Sequence, residues 1–269
     1  EVVPQMAESV TMTDPTRWVV TLRDGVTFSD DTPFDADAVE FNLERAMEDD
    51  DSNISGLLEN IEDVEVVDDY EVELHLDDPT PLAVLHLLAD RPGMMVSPEA
   101  VEEAGDSTAF SEEPVGAGMY VVEGEWFPRE SMSVRAWDGY WDEDAQLLGG
   151  IDFTEVELDS RVNALLSDST DVVGIEGFDV GVLEDDDSVA LTVGPAAISR
   201  GLTVNPTLEP MDDPLVRQAI AHAIDREAIA NHLLRGEATP VVGPVTYVPD
   251  YAATNPDWTA DGSQVPEYD

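Results

Sequence analysis

Asp213-Pro214-Leu215-Val216-Arg217-Gln218-Ala219-Ile220-Ala221-His222-Ala223-Ile224-Asp225-Arg226 reads as a helix pair. Asp213 can N-cap, and Pro214 suits the first helical position, where no N–H is needed. Val216, Ala219, Ile220, Ala223 and Ile224 recur at helical spacing and form one apolar stripe. The stripe is mostly small residues, which predicts a helix packed closely on another element. Asp225 can cap a second helix running through Ile229, Leu233 and Leu234, with Gly236 as its stop.

Outward from this pair, the bulk composition bounds the class. The chain has 269 residues, 42% of them hydrophobic, enough for a real core. Its 61 acidic residues face 11 basic ones, all Arg, for a net charge of −50. A folded domain this acidic repels itself in dilute buffer. Molar salt shortens the Debye length to about 3 Å and removes most of that penalty. The reading is a protein of a salt-rich environment. An acidic decoy for basic partners would gather its acids on one surface, whereas here they run from Glu1 to Asp269. Nucleic-acid binding is excluded for want of a basic patch. Without cysteine there is neither a disulfide nor thiol chemistry. No apolar run approaches a membrane span.

Along the chain, strands are expected at Trp18–Leu22, Met132–Ala136 and Tyr120–Val122, and a hairpin at Val64–Val67 and Tyr70–Leu76 turning at Asp68-Asp69. Val72, Leu74 and Leu76 face one way, with Glu71, Glu73 and His75 the other. Further strands are expected over Ile151–Leu158, Val172–Ile175, Ala190–Val193 and Gly201–Val204. Helices are expected from Asp35 or Asp37 through Met47, from Pro81 to Leu88, from Ser97-Pro98 to Gly105, and over Arg161–Leu166. Interleaved strands and helices predict an α/β or α+β fold.

Motifs of chemistry are few. His75, His86, His222 and His232 lie far apart without metal-ligand spacing and read as packed or surface residues. No nucleophile elbow or phosphate loop occurs. Asp51-Ser52-Asn53-Ile54-Ser55-Gly56, with Glu62 at the closing position, has the oxygen spacing of a calcium loop. The residues after Glu62 alternate like a strand, however, where that motif needs a helix. Asn53-Ile54-Ser55 is also a glycosylation sequon. No cofactor or metal is expected, and no enzyme.

Several stretches, in order, carry a resemblance. They are Trp18-Val19-Val20-Thr21-Leu22-Arg23-Asp24-Gly25-Val26-Thr27-Phe28-Ser29-Asp30, Pro33-Phe34-Asp35-Ala36-Asp37-Ala38-Val39, Pro114-Val115-Gly116-Ala117-Gly118-Met119-Tyr120, Asp138-Gly139-Tyr140-Trp141, Gly201-Leu202-Thr203-Val204-Asn205 and Val216-Arg217-Gln218-Ala219-Ile220. Together they resemble the peptide/nickel-type extracellular solute-binding proteins, family 5, of ABC importers. Asp31 stands where that family usually has Gly, and Met119 replaces a Pro. The resemblance implies an α/β fold of the class II periplasmic-binding-protein type, two-lobed, with mixed sheets flanked by helices. It also implies a partial chain. Residues 1–113 would form a lobe-one subdomain with a helix and hairpin insert, 114–210 the lobe-one core sheet, and 211–269 the start of lobe two.

The function so implied is capture of a peptide or related small solute outside the cell, as a monomer, for delivery to an ABC permease in the membrane. Anchoring would come through a segment absent from this chain. Rival readings are a ligand-presenting sensor for a chemoreceptor and a salt-adapted exported hydrolase domain. By position, Arg91-Pro92 matches an Arg-Pro that contacts ligand carboxylates in nickel-binding relatives. Ser199, Arg200 and Gly201 align with the strand that lines the peptide groove. Ile54 falls where a nickel-type relative has a ligand-contacting Trp, which weighs against a nickel chelate.

Overall fold

The computed structural model describes residues 3–48, 52–79, 81–105, 107–124, 126–192, 194, 201–238 and 240. Two compact units divide the chain, Glu1–Glu155 and Val156–Asp269.

The first unit is built on a four-stranded antiparallel sheet: β1 (Ala7–Asp14), β2 (Arg17–Leu22), β3 (Ile61–Asp68) and β4 (Glu71–Leu76), in the order β1-β2-β4-β3. Alternation fixes its register. Trp18 lies opposite Leu74 and Val20 opposite Val72, while Val64 and Val66 meet Leu74 and Val72 from the other side. A one-residue slip would turn all of these to solvent. As expected, Val72, Leu74 and Leu76 are buried. Glu73 and His75 point to the opposite face.

Helix α1 (Ala36–Glu48) lies across β3 and β4. Asp35 caps it, its Oδ1 accepting from the Ala38 N–H at 3.0 Å, and Ala38, Val39, Asn42 and Leu43 form its buried side. Phe28 and Phe34, edge to face at 5.7 Å, fill the space beside it. Burial of each such side chain contributes about 1.5–3 kcal/mol. A short α2 (Ser55–Leu58) and a helix α3 (Pro81–Leu88) follow, the second leading into a 3-10 turn at Arg91–Gly93. Helix α4 (Pro98–Ala104) is capped by Ser97, whose Oγ accepts from the Ala100 N–H, and stops at Gly105 with φ of 73°. Beyond α5 (Ser107–Glu112), a second antiparallel sheet comprises β5 (Tyr120–Val122), β6 (Ser131–Ala136) and β7 (Gly150–Thr154).

The loop Phe28–Thr32 explains one departure from the family pattern. Asp31 adopts φ of 67°, a left-handed conformation that glycine takes without strain and Asp tolerates. Beside it, Asp30 accepts from the Thr32 amide and hydroxyl. Burial pushes the Asp30 carboxyl up, but the hydrogen bonds from Ser97 and Thr32 outweigh it and hold the group below its ordinary range.

The second unit contains α6 (Arg161–Leu166), α7 (Val180–Leu183), α8 (Pro214–His222) and α9 (Arg226–Ala228). Both caps of the helix pair form: Asp213 Oδ1 accepts from Leu215 N–H and Asp225 from Ala228 N–H, each at 2.8 Å. The second helix widens into a π turn over Ile229–Leu233 and ends at Gly236, φ 85°. The close packing expected of the α8 stripe is not found. Val216, Ile220 and Ile224 are half-buried, Ala219 and Ala223 exposed, because no described element covers them.

Three expected strands are also absent among the described residues. Val172–Ile175, residues 190–192 and Gly201–Val204 enter no ladder, and the Ile151–Leu158 strand stops at Thr154. A strand exists only where a neighbour takes its N–H and C=O groups, and these segments have none among the described residues, Val193 itself lying outside them. Val172 and Leu202 are accordingly open to solvent, at 85% and 73%.

Candidate functional site

Arg91 opens the 3-10 turn that follows α3. Asp90 caps this turn, its Oδ1 accepting from the Arg91 N–H at 2.8 Å. Pro92 fixes the backbone and is buried. Gly93 has no room for a side chain, since a Cβ there would lie 2.0 Å from the Leu88 carbonyl oxygen. The turn is therefore rigid. Gly93→Ala is expected to displace it and lower stability by about 1–3 kcal/mol, as overpacking does. Thermal melts in molar salt check this.

The Arg91 side chain is exposed and reaches the loop before α2, where its Nη1 donates to Asn53 Oδ1 at 3.4 Å. No ion pair joins it among the described residues. A guanidinium fork of this kind is suited to a carboxylate. Sequence reasoning missed Asn53 as its partner. That residue drew attention only within the calcium-like loop and the sequon. The calcium loop itself is not formed: Asp51 lies outside the described residues, α2 occupies Ser55–Leu58, and β3 starts at Ile61. Ile54 is half-buried next to Asn53 and donates its N–H to Ser52 Oγ.

Of the other expected site residues, Ser199 and Arg200 lie outside the described residues. Gly201 is exposed, in the second unit, with open space where a Cβ would go. A groove of about 330 Å³ lined by Thr32, Pro33, Asp35, Asp37, Phe41 and Glu99 involves none of the expected site residues.

Among solved structures this fold is that of class II periplasmic binding proteins. The chain superposes on NikZ from Campylobacter jejuni in complex with Ni(L-His) with a TM-score of 0.81 at 24% identity, covering 99% of this chain and 52% of that one. On MoaA from A. tumefaciens R10, in complex with mannopinic acid, the TM-score is 0.78 at 27% identity, over 98% and 52% of the two chains. Residues 1–269 match the family "Bacterial extracellular solute-binding proteins, family 5 Middle", and the chain belongs to it. Curated relatives include the glutathione-binding protein GsiB of Salmonella paratyphi A, 32% identical over 97% of this chain and 51% of that protein. The GsiB of Escherichia coli O1:K1 / APEC is 31% identical over 95% and 50%. The chain thus spans about half the length of the curated relatives it matches. Among the described residues no helix is long and apolar enough to cross a membrane.

Proposed function

We propose that this chain is part of the substrate-capturing component of an ABC importer, taking up a peptide or related small carboxylate-bearing solute outside the cell. It would bind its ligand without transforming it and hand it to a membrane permease. Residues 1–113 and 114–210 then supply lobe one and 211–269 opens lobe two. A ligand that touches both lobes biases the hinge between them toward closure. Lipid anchoring through a segment outside this chain and a monomeric state complete the reading, as does a salt-rich habitat.

The observation that carries it is the Arg91 fork: rigidly based, exposed, and without an ion pair among the described residues in a chain of 61 acids. Such a cation is best explained by a carboxylate that arrives from outside. The relatives named glutathione-binding make that tripeptide the first probe. Isothermal titration of the intact protein with glutathione and short peptides, in molar salt, tests the proposal. Arg91→Ala is expected to weaken binding of the responding ligand about 10- to 100-fold, the worth of a hydrogen bond to a charged group. Arg91→Lys should restore it only in part. Unchanged affinity in Arg91→Ala would remove Arg91 from the site. Mass spectrometry of small molecules co-purifying with the intact protein identifies the ligand independently.

A further inference from the structure

Hairpin geometry assembles a group that linear spacing hides. β3 and β4 are paired so that Glu65 lies directly opposite Glu73 and Asp63 opposite His75. Since side chains alternate, Glu73 and His75 share the outer face of the sheet with Glu65. The His75 Nε2 sits 3.1 Å from Glu73 Oε1 and 3.3 Å from Glu65 Oε2. It is nevertheless a buried nitrogen with no hydrogen bond. The side chains of Glu73 and His75 are 18% and 20% exposed, that of Glu65 59%, so the group opens to solvent on one side only.

Two features of this arrangement are unfavourable for the side chains alone. Like charges stand directly across a strand pair, which destabilises a sheet, and only Glu73 of the two has an Arg partner among the described residues. The buried His75 Nε2 makes no hydrogen bond although it lies beside both carboxylates. A divalent cation resolves both. Metal–ligand bonds of about 2.0–2.2 Å, at tetrahedral or octahedral angles, place neighbouring donor atoms about 3.0–3.5 Å apart. Both His75–carboxylate separations fall in that interval, and the three donor atoms all lie within 4.8 Å of one another. One imidazole nitrogen with carboxylate oxygens suits zinc-like transition metals better than calcium or magnesium.

We infer that Glu65, Glu73 and His75 form a divalent transition-metal site that clips β3 to β4, with solvent completing the coordination on the Glu65 side. Arg17 supports it. Its Nη1 donates to Glu73 Oε1 at 2.7 Å, orienting that carboxylate, as hydrogen-bond partners of metal ligands do. The site is independent of Arg91 and of the transport reading.

Zinc is the probe. The chain has four histidines, so histidine-selective nitrogen-15 NMR of the intact protein in molar salt resolves each. One equivalent of Zn²⁺ is expected to move the His75 Nε2 resonance alone, with saturation at that stoichiometry. Glu65→Gln, at the most exposed of the three positions, should preserve the fold and weaken zinc binding at least about 10-fold, and Glu65→Gln with Glu73→Gln about 100-fold or more. Chelator competition reads both. The proposal is overturned if His75 does not respond to one equivalent, if all four histidines broaden together as diffuse binding to an acidic surface would make them, or if Glu65→Gln binds zinc as tightly as the parent.

Discussion

Transfer of this protein from molar salt into about 10 mM salt is expected to unfold it, as the Debye length grows from about 3 Å to about 30 Å. Few cations are present to offset 61 acids. Arg135 is already shared between Glu123 and Asp152, each at 2.9 Å, and Arg17 is taken by Glu73. The repulsion is visible at Glu40 on α1. Burial first, then the charges of Glu44, Asp37 and Asp63, push its carboxyl above the ordinary value. The sign follows directly. A raised carboxyl disfavours the folded state when ionised, so Glu40 contributes stability at acidic pH and loses it as pH rises through its folded value. Salt screens the three Coulombic contributions but not the burial. Since a domain is held by only about 5–15 kcal/mol, repulsion summed over the whole charge distribution decides whether it folds. Far-UV circular dichroism and tryptophan fluorescence across a salt series measure the transition. A full native spectrum in about 10 mM salt would sink the reading of charge as salt adaptation.

Three of the four strands of the sheet, β2, β3 and β4, were readable because both inner strands alternate without interruption. Val72, Leu74 and Leu76 announce a face, and Trp18, Val20 and Leu22 announce its neighbour. The caps were readable because Asp35, Ser97, Asp213 and Asp225 act within three residues of themselves. β1 was not, since its Ala7–Asp14 run is largely exposed and carries no clear alternation. In the second unit, apolar character at Val172–Ile175 and Gly201–Val204 suggested strands, but strand formation depends on a partner that no local pattern reveals.

The family motifs mark the core more than the site. Phe28 and Phe34 pack on each other, and Gly116 accepts from the Ser29 amide while bridging Val96. That is why they identify the fold and leave the ligand unnamed. Arg91 could be placed by resemblance, but its partner Asn53 is 38 residues away and is joined to it only by the folding of two loops. The Glu65–Glu73–His75 group was not legible in the sequence. A turn at Asp68-Asp69 would set Glu65 against Val72, on the wrong face, whereas the chain turns at Asp69-Tyr70 with a register shift between Val66 and Asp68, and this sets Glu65 against Glu73.

Asn42 is expected to be the most costly polar residue to lose. It is 5% exposed on the buried side of α1. Its side-chain amide donates to Val96 O at 2.8 Å and accepts from Val96 N–H at 3.0 Å, while also donating to Ala38 O. One side chain thus does for Val96 what a neighbouring strand would do, and it holds the segment that leads into the Ser97 cap. Asn42→Ala leaves both polar groups of Val96 unpaired at a half-buried position and opens a cavity beside Leu43. An unsatisfied buried group costs about 1–3 kcal/mol, so the expected loss is about 3 kcal/mol or more. Asn60 provides the control. Its amide makes the same double bond to Asp78, donating to its carbonyl and accepting from its N–H, both at 2.9 Å, but in the open. There water replaces the lost partners, and Asn60→Ala should cost no more than about 1 kcal/mol. Urea unfolding of both variants in the same molar salt compares them. Equal losses would mean that the bonds themselves, and not their burial, set the cost. A near-neutral Asn42→Ala would mean that α1 and the Val96 segment are held together by apolar packing alone.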